Sequence, residues 1–114
     1  MALYDFGNGS VKAHRHANGG GWVADTATVA ATVYVGPDAT VFGYAAVAGS
    51  ARVYGSARVS GRAMVYGHAR VTGAAEVSGY ARVYVSATVS GDAKVSGRAM
   101  VYGFARVSRG ELVS

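Results

Sequence analysis

The chain has 114 residues, 51% of them hydrophobic, which suits one soluble domain. The lack of cysteine excludes a disulfide framework and thiolate metal sites, and is compatible with the cytosol or a virion alike. The net charge of +5 is spread along the sequence and not gathered into a basic tail, so it reads as a solubilising charge, and nucleic acid is not an expected partner.

Residues 1–21, MALYDFGNGSVKAHRHANGGG, follow no period and lack the apolar stretch of a secretory signal. No run anywhere approaches the roughly 18 apolar residues of a membrane span, so a soluble protein made in a cytoplasm is expected. Leu3, Tyr4 and Phe6, with Trp22 nearby, offer apolar surface, and the segment is set apart as a cap or attachment piece from residues 22–114. His14 and His16 form an H-x-H pair that could meet a metal ion in an oligomer. A lone pair is a weak signal, and neither metal nor cofactor is expected.

From Val23 to Val113 a valine stands at every sixth position. Alanine precedes most of these valines by two residues, and from 43 onward glycine usually follows by two, giving the unit A-x-V-x-G-x. A helical period would drift against a strict six, whereas two alternating inward residues followed by a turn describe a short strand. Such strands cannot stand alone and must stack as coils of a solenoid. The phrase GRAMVYGHARV at 61–71 returns as GRAMVYGFARV at 97–107, and a shift of 36 residues is two turns if each coil holds three hexads.

With this spacing, residues 23–114 resemble the hexapeptide-repeat family of left-handed parallel β-helices. The resemblance implies an all-β solenoid of about five triangular coils of 18 residues, and it alone supplies the left hand, since parallel crossovers are normally right-handed. The segment NGGGWVADTATVAATVYVGPDATVFG and the uniform units after it are more similar to uncharacterised phage- and prophage-type hexapeptide proteins than to the sugar and acyl-CoA transferases of the same fold.

Sorting outward positions by 18 separates three faces. The face of Val41, Val59, Val77 and Val95 carries Arg58, Glu76 and Lys94 beside Ser60, Ser78 and Ser96, a wet surface of alternating charge. The face of Val47, Val65, Val83 and Val101 carries Ala46, Met64, Arg82 and Met100 in one row and Ala48, Tyr66, Tyr84 and Tyr102 in the other. Its flanking corners hold Tyr44, Arg62, Tyr80 and Arg98 on one side, and Ser50, His68, Ser86 and Phe104 on the other. Met, Tyr and Arg are enriched at interfaces, and the family resemblance implies parallel trimers. A homotrimer is therefore expected through Met64, Tyr66, Arg82, Tyr84, Met100, Tyr102, His68 and Phe104. A cross-strand aromatic ladder that stabilises the coil by itself is the other reading of the tyrosines. The face of Val53, Val71, Val89 and Val107 stacks Arg52, Arg70, Thr88 and Arg106, and the three arginines are candidates for an anionic contact.

No catalytic residue is assigned. The alternative is a minimal acyltransferase-like enzyme with His68 as base, since the resemblance implies a catalytic histidine between subunits. Against it, Phe104 fills the equivalent corner, no acidic residue close in sequence would orient the imidazole, and no insertion interrupts the hexads to shape a pocket. The favoured expectation is a structural or binding solenoid, a trimer or an end-to-end stacked rod, with a phage structural protein or a host surface as further partner. The rod follows from Leu112 and Val113 being still in register, with a strand edge open to another coil. Arg109 and Glu111 break the last hexad and mark a frayed end. Val85 takes, in the middle of the rod, a corner position that glycine holds at all the other turns from 43 to 103, so that corner is expected to turn differently or to gain an apolar contact with a neighbour.

Overall fold

Each hexad supplies two inward side chains and a corner, and three hexads close a triangle. The computed structural model describes the backbone of residues 2–5, 10–107 and 112–113 and the side chains of residues 11–107. Among them the elements are β1 (Ala2–Asp5), β2 (Ser10–Arg15) and β3 (Trp22–Ala24), then two-residue strands at every sixth position. These are β4 (Thr28–Val29), β5 (Tyr34–Val35), β6 (Thr40–Val41), β7 (Ala46–Val47), β8 (Arg52–Val53), β9 (Arg58–Val59), β10 (Met64–Val65), β11 (Arg70–Val71), β12 (Glu76–Val77), β13 (Arg82–Val83), β14 (Thr88–Val89), β15 (Lys94–Val95), β16 (Met100–Val101), β17 (Arg106–Val107) and β18 (Leu112–Val113). No helix among the described residues is long and apolar enough to cross a membrane.

From β3 onward each strand pairs in parallel with the strand three places later, 18 residues on, so that Met64 sits beside Arg82 and Val65 beside Val83. Three sheets result. The first runs β1-β2-β3-β6-β9-β12-β15-β18, the second β4-β7-β10-β13-β16 and the third β5-β8-β11-β14-β17. The protein is an all-β parallel solenoid of about five 18-residue turns, compatible with a hexapeptide-repeat β-helix. Backbone N–H groups point along the axis toward the next coil: Thr28 donates to the Ala45 carbonyl at 2.9 Å and Arg70 to the Ala87 carbonyl at 2.9 Å. This satisfies strands too short to form on their own.

The core is a column of valine on valine and alanine on alanine. Val35, Val41, Val53, Val65, Val83 and Val95 are fully buried, as are Ala39, Ala63 and Ala81. Each such valine contributes about 1.5–3 kcal/mol by leaving water, before chain entropy is counted. Alanine next to the corner keeps the triangle narrow, while valine fills its middle.

Corners explain the glycines. Gly61 has φ 64°, a conformation that costs other residues a Cβ clash with their own carbonyl. Its neighbour in the next coil is also backbone: a Cβ on Gly61 would lie 2.8 Å from the Gly79 nitrogen. Val85 departs from the expectation of a different turn. It keeps φ 61°, the left-handed value of the glycines stacked around it. Two bonds of the axial ladder hold it there, His68 N–H to the Val85 carbonyl at 2.7 Å and Ser86 N–H to the Gly103 carbonyl at 2.9 Å.

The N-terminal segment is built onto the first turn. β1 and β2 form an antiparallel hairpin, and β2 continues antiparallel to β3, with His14 opposite Val23. Ala13 and Ala24 are buried together with Trp22 and Phe42 packed against them, and the Arg15 guanidinium lies 4.9 Å over the indole of Trp22. Residues 16–21 then cross the edge of the third sheet. Gly21 N–H donates to the Val35 carbonyl at 3.0 Å, Val35 N–H to the Asn18 carbonyl at 3.0 Å, and His16 Nε2–H to the Val33 carbonyl at 2.7 Å. A Cβ at Gly21 would stand 2.3 Å from Val35 Cγ1, so only glycine permits this approach. The side chains of Leu3, Tyr4 and Phe6, and Arg109 and Glu111, lie outside the described residues.

Candidate functional site

The second sheet presents its outward rows in register: Ala46, Met64, Arg82 and Met100 are paired neighbours. Val47, Val65 and Val83 point the opposite way into the core, so alternation forces these side chains out. Beside them the tyrosines stack as plates. The rings of Tyr66 and Tyr84 lie 5.0 Å apart at 4°, and those of Tyr84 and Tyr102 lie 5.3 Å apart at 12°. The aromatic ladder is thus present. It covers part of Tyr66 and Tyr84, while Tyr102 remains 57% exposed.

The methionines have no such explanation. Met64 and Met100 are exposed on either side of Arg82. Among the described residues, Tyr44, Met64, Tyr80, Val85, Met100, Tyr102 and Phe104 are exposed large hydrophobics on the second sheet or its corners, and only Val11 lies elsewhere. Phe104, at 86%, is the most exposed of them. In proteins generally, large exposed apolar patches accompany protein or ligand contacts.

The corner between the first and second sheets alternates tyrosine and arginine at 18-residue steps, and the structure pairs them. The Arg62 guanidinium stands 5.2 Å from the Tyr44 ring centre, and that of Arg98 stands 5.7 Å from Tyr80. Sequence reasoning placed these four residues on a corner without pairing them. The readable signal was their strict alternation, since a cation over a ring face needs one of each in adjacent coils.

On the other corner, His68 is exposed, and its coil neighbours are Ser50 and Ser86, as the bonds Ser50 N–H to Gly67 carbonyl and His68 N–H to Val85 carbonyl show. Phe104 follows two coils on. The arginine row is confirmed in register but is uneven: Arg52 and Arg70 are direct neighbours, while Thr88 separates Arg70 from Arg106. His14 and His16 go to different partners. His14 Nδ1–H donates to Asp25 Oδ1 at 2.8 Å on the surface, and His16 is buried on the Val33 carbonyl.

Comparison with protein families, with curated proteins and with solved structures finds no match to this chain.

Proposed function

We propose that the protein is a non-enzymatic structural module, phage- or prophage-encoded and carried on a virion, whose second sheet joins three copies side by side into a homotrimer. One observation carries this reading: the exposed Met, Tyr, Phe and Val side chains gather on that sheet and its corners. Desolvating them against a second copy is favourable at about 25 cal/mol per Å² of apolar surface. Arg82, Arg62 and Arg98 around them supply the polar groups that fix register. The stacked tyrosines offer a rigid surface, so little side-chain freedom is lost on contact. The phage origin rests only on the resemblance of residues 18–43 and the uniform units after them.

Lateral assembly is favoured over an end-to-end rod by the first turn. There the antiparallel hairpin of β1 and β2 lies against β3 where a further parallel coil would stack, and residues 16–21 lie along the β5 edge of the third sheet. A second molecule adding at this end would have to displace both.

Light scattering over a wide concentration range tests the reading. A constant mass of three chains of 11.6 kDa each is expected, and Met64→Glu/Tyr84→Glu should reduce it to one chain. The double variant should still fold, because both positions point outward and Arg82 already places a charge in the methionine row. A wild-type monomer at all concentrations overturns the proposal, and mass that grows without limit replaces it with the rod.

A further inference from the structure

The outer rows of the third sheet carry aromatic rings only in the first coils. Tyr34 and Tyr54 stand one coil apart in adjacent rows, with ring centres 6.4 Å apart and planes at 69°. In later coils Tyr34's row is filled by Arg52, Arg70, Thr88 and Arg106, and Tyr54's row by Thr72 and Ser90. The rings coincide with the place where residues 16–21 lie across the sheet edge. Together they enclose an open recess of about 620 Å³, lined by Asn18, Thr32, Tyr34, Ser50, Arg52 and Tyr54.

Glycines build this recess. A Cβ at Gly19 would sit 2.1 Å from the Val35 carbonyl oxygen and 3.0 Å from the Tyr34 ring, so the loop can approach only because position 19 is bare. Gly36 occupies the position in Tyr54's row one coil earlier. A Cβ there would stand 3.0 Å from Tyr54 Cβ. Both tyrosines are half-buried and held, and both border the recess.

We infer that this recess is a binding site for a carboxylated sugar. Arg52 and Arg70 are hydrogen-bonded strand neighbours of like charge. Among the described residues the close ion pair is His14 with Asp25, and neither arginine has a carboxylate within reach. An anion relieves that repulsion, and a planar guanidinium takes a carboxylate through two parallel hydrogen bonds. The tyrosine rings stand edge to face at 69°, so they form no slot between parallel plates for a base, and stacking is left to a ring face turned away from its partner. One such face suits the C–H face of a pyranose. The rest of the lining is amide and hydroxyl: Asn18 and Ser50 are exposed with donors and acceptors, and Thr32 Oγ1 donates to the Gly49 carbonyl at 2.6 Å, keeping its lone pairs for a ligand hydroxyl. A polyol with one carboxylate matches each of these groups. The volume is in the range of small-molecule sites, roughly 300–1,000 Å³.

The experiment is titration calorimetry with trigalacturonate and trimannuronate, each compared with its neutral methyl ester. At least one acid form should bind, with its ester weaker by roughly tenfold or more, the usual loss when a charge-assisted hydrogen bond is removed. Arg52→Thr should weaken the acid form by the same factor and Tyr54→Ser should weaken acid and ester together. Threonine and serine already fill those rows at Thr88 and Ser90, so both variants keep the fold, checked by circular dichroism. Arg106→Thr, in the same row but distant from the recess, should change nothing. The inference is overturned if neither acid form binds, if Arg52→Thr and Tyr54→Ser leave binding intact, if Arg106→Thr weakens it equally, or if uridine monophosphate binds more tightly than either sugar.

Discussion

Tyr84 stacks on two rings at once, Tyr66 at 5.0 Å and Tyr102 at 5.3 Å, whereas each of those stacks on Tyr84. Tyr84→Ser removes both contacts and leaves the residue that the repeat places at the matching position of other strands, as at Ser78, Ser90 and Ser96. An aromatic pair contributes about 0.5–1.5 kcal/mol beyond its burial. Tyr84→Ser should therefore cost about 1–3 kcal/mol from stacking, and Tyr66→Ser or Tyr102→Ser about half as much. The cost at Tyr102, 57% exposed, should be the smaller of the two. A double-mutant cycle of Tyr66 with Tyr84 should give a coupling of about 0.5–1.5 kcal/mol, while Tyr66 with Tyr102, two coils apart, should be additive within about 0.5 kcal/mol. Urea unfolding followed by circular dichroism measures each value. Repeating it at several protein concentrations separates stacking within the chain, which does not vary, from any contribution of assembly, which does. If Tyr84→Ser costs no more than Tyr66→Ser at every concentration, the ladder contributes nothing and the reasoning fails.

Gly61→Ala, at φ 64° with its Cβ 2.8 Å from the Gly79 nitrogen, should lose about 2–4 kcal/mol by urea denaturation; Gly20→Ala, at φ 81° with open space, should lose only about 1–2 kcal/mol. His16→Leu leaves the Val33 carbonyl unpaired and should cost about 1–3 kcal/mol, with faster hydrogen exchange at the Gly21 and Val35 amides while the distant Arg70 amide stays protected. Val85→Gly relieves a left-handed valine, so it should leave the dissociated chain as stable as wild type or more so. It should also weaken self-association in the light-scattering series, and unchanged association would remove Val85 from the contact surface.

The hexad was enough to read the coil, its inward residues and its three outward faces, because side-chain alternation and stacking at 18 residues are consequences of geometry that valine and glycine spacing report directly. Met64, Arg82 and Met100 were placed in one row, and the strand register agrees. What sequence did not reveal depends on contacts between positions that no period relates. Nothing in H-x-H distinguishes His14 on Asp25 from His16 buried on the Val33 carbonyl; that follows from how β2 meets β3 and how the loop beyond it crosses β5. The Tyr34 and Tyr54 recess was illegible for the same reason. Its wall comes from residues 16–21, a segment outside the repeat, whose path is set by Gly19 and Gly21.

Val85 joins the fold to the assembly reading. A β-branched residue at φ 61° costs roughly 1–2 kcal/mol relative to glycine, the occupant of the same corner at Gly49, Gly67 and Gly103. Axial hydrogen bonds from His68 and to Gly103 impose that conformation, so the backbone has no freedom to relax the strain. The side chain recovers part of that cost inside the chain and leaves 47% of the residue exposed. It stands next in sequence to Tyr84 at the centre of the ring stack, and Phe104 projects from the same corner one coil further on. On the proposed assembly, a contact made outside the chain would offset the remainder of the strain. The same corner, the tyrosine plates and the exposed methionines then form one continuous surface, and a second copy that covers it would bury the strained valine together with the residues that no intramolecular packing accounts for.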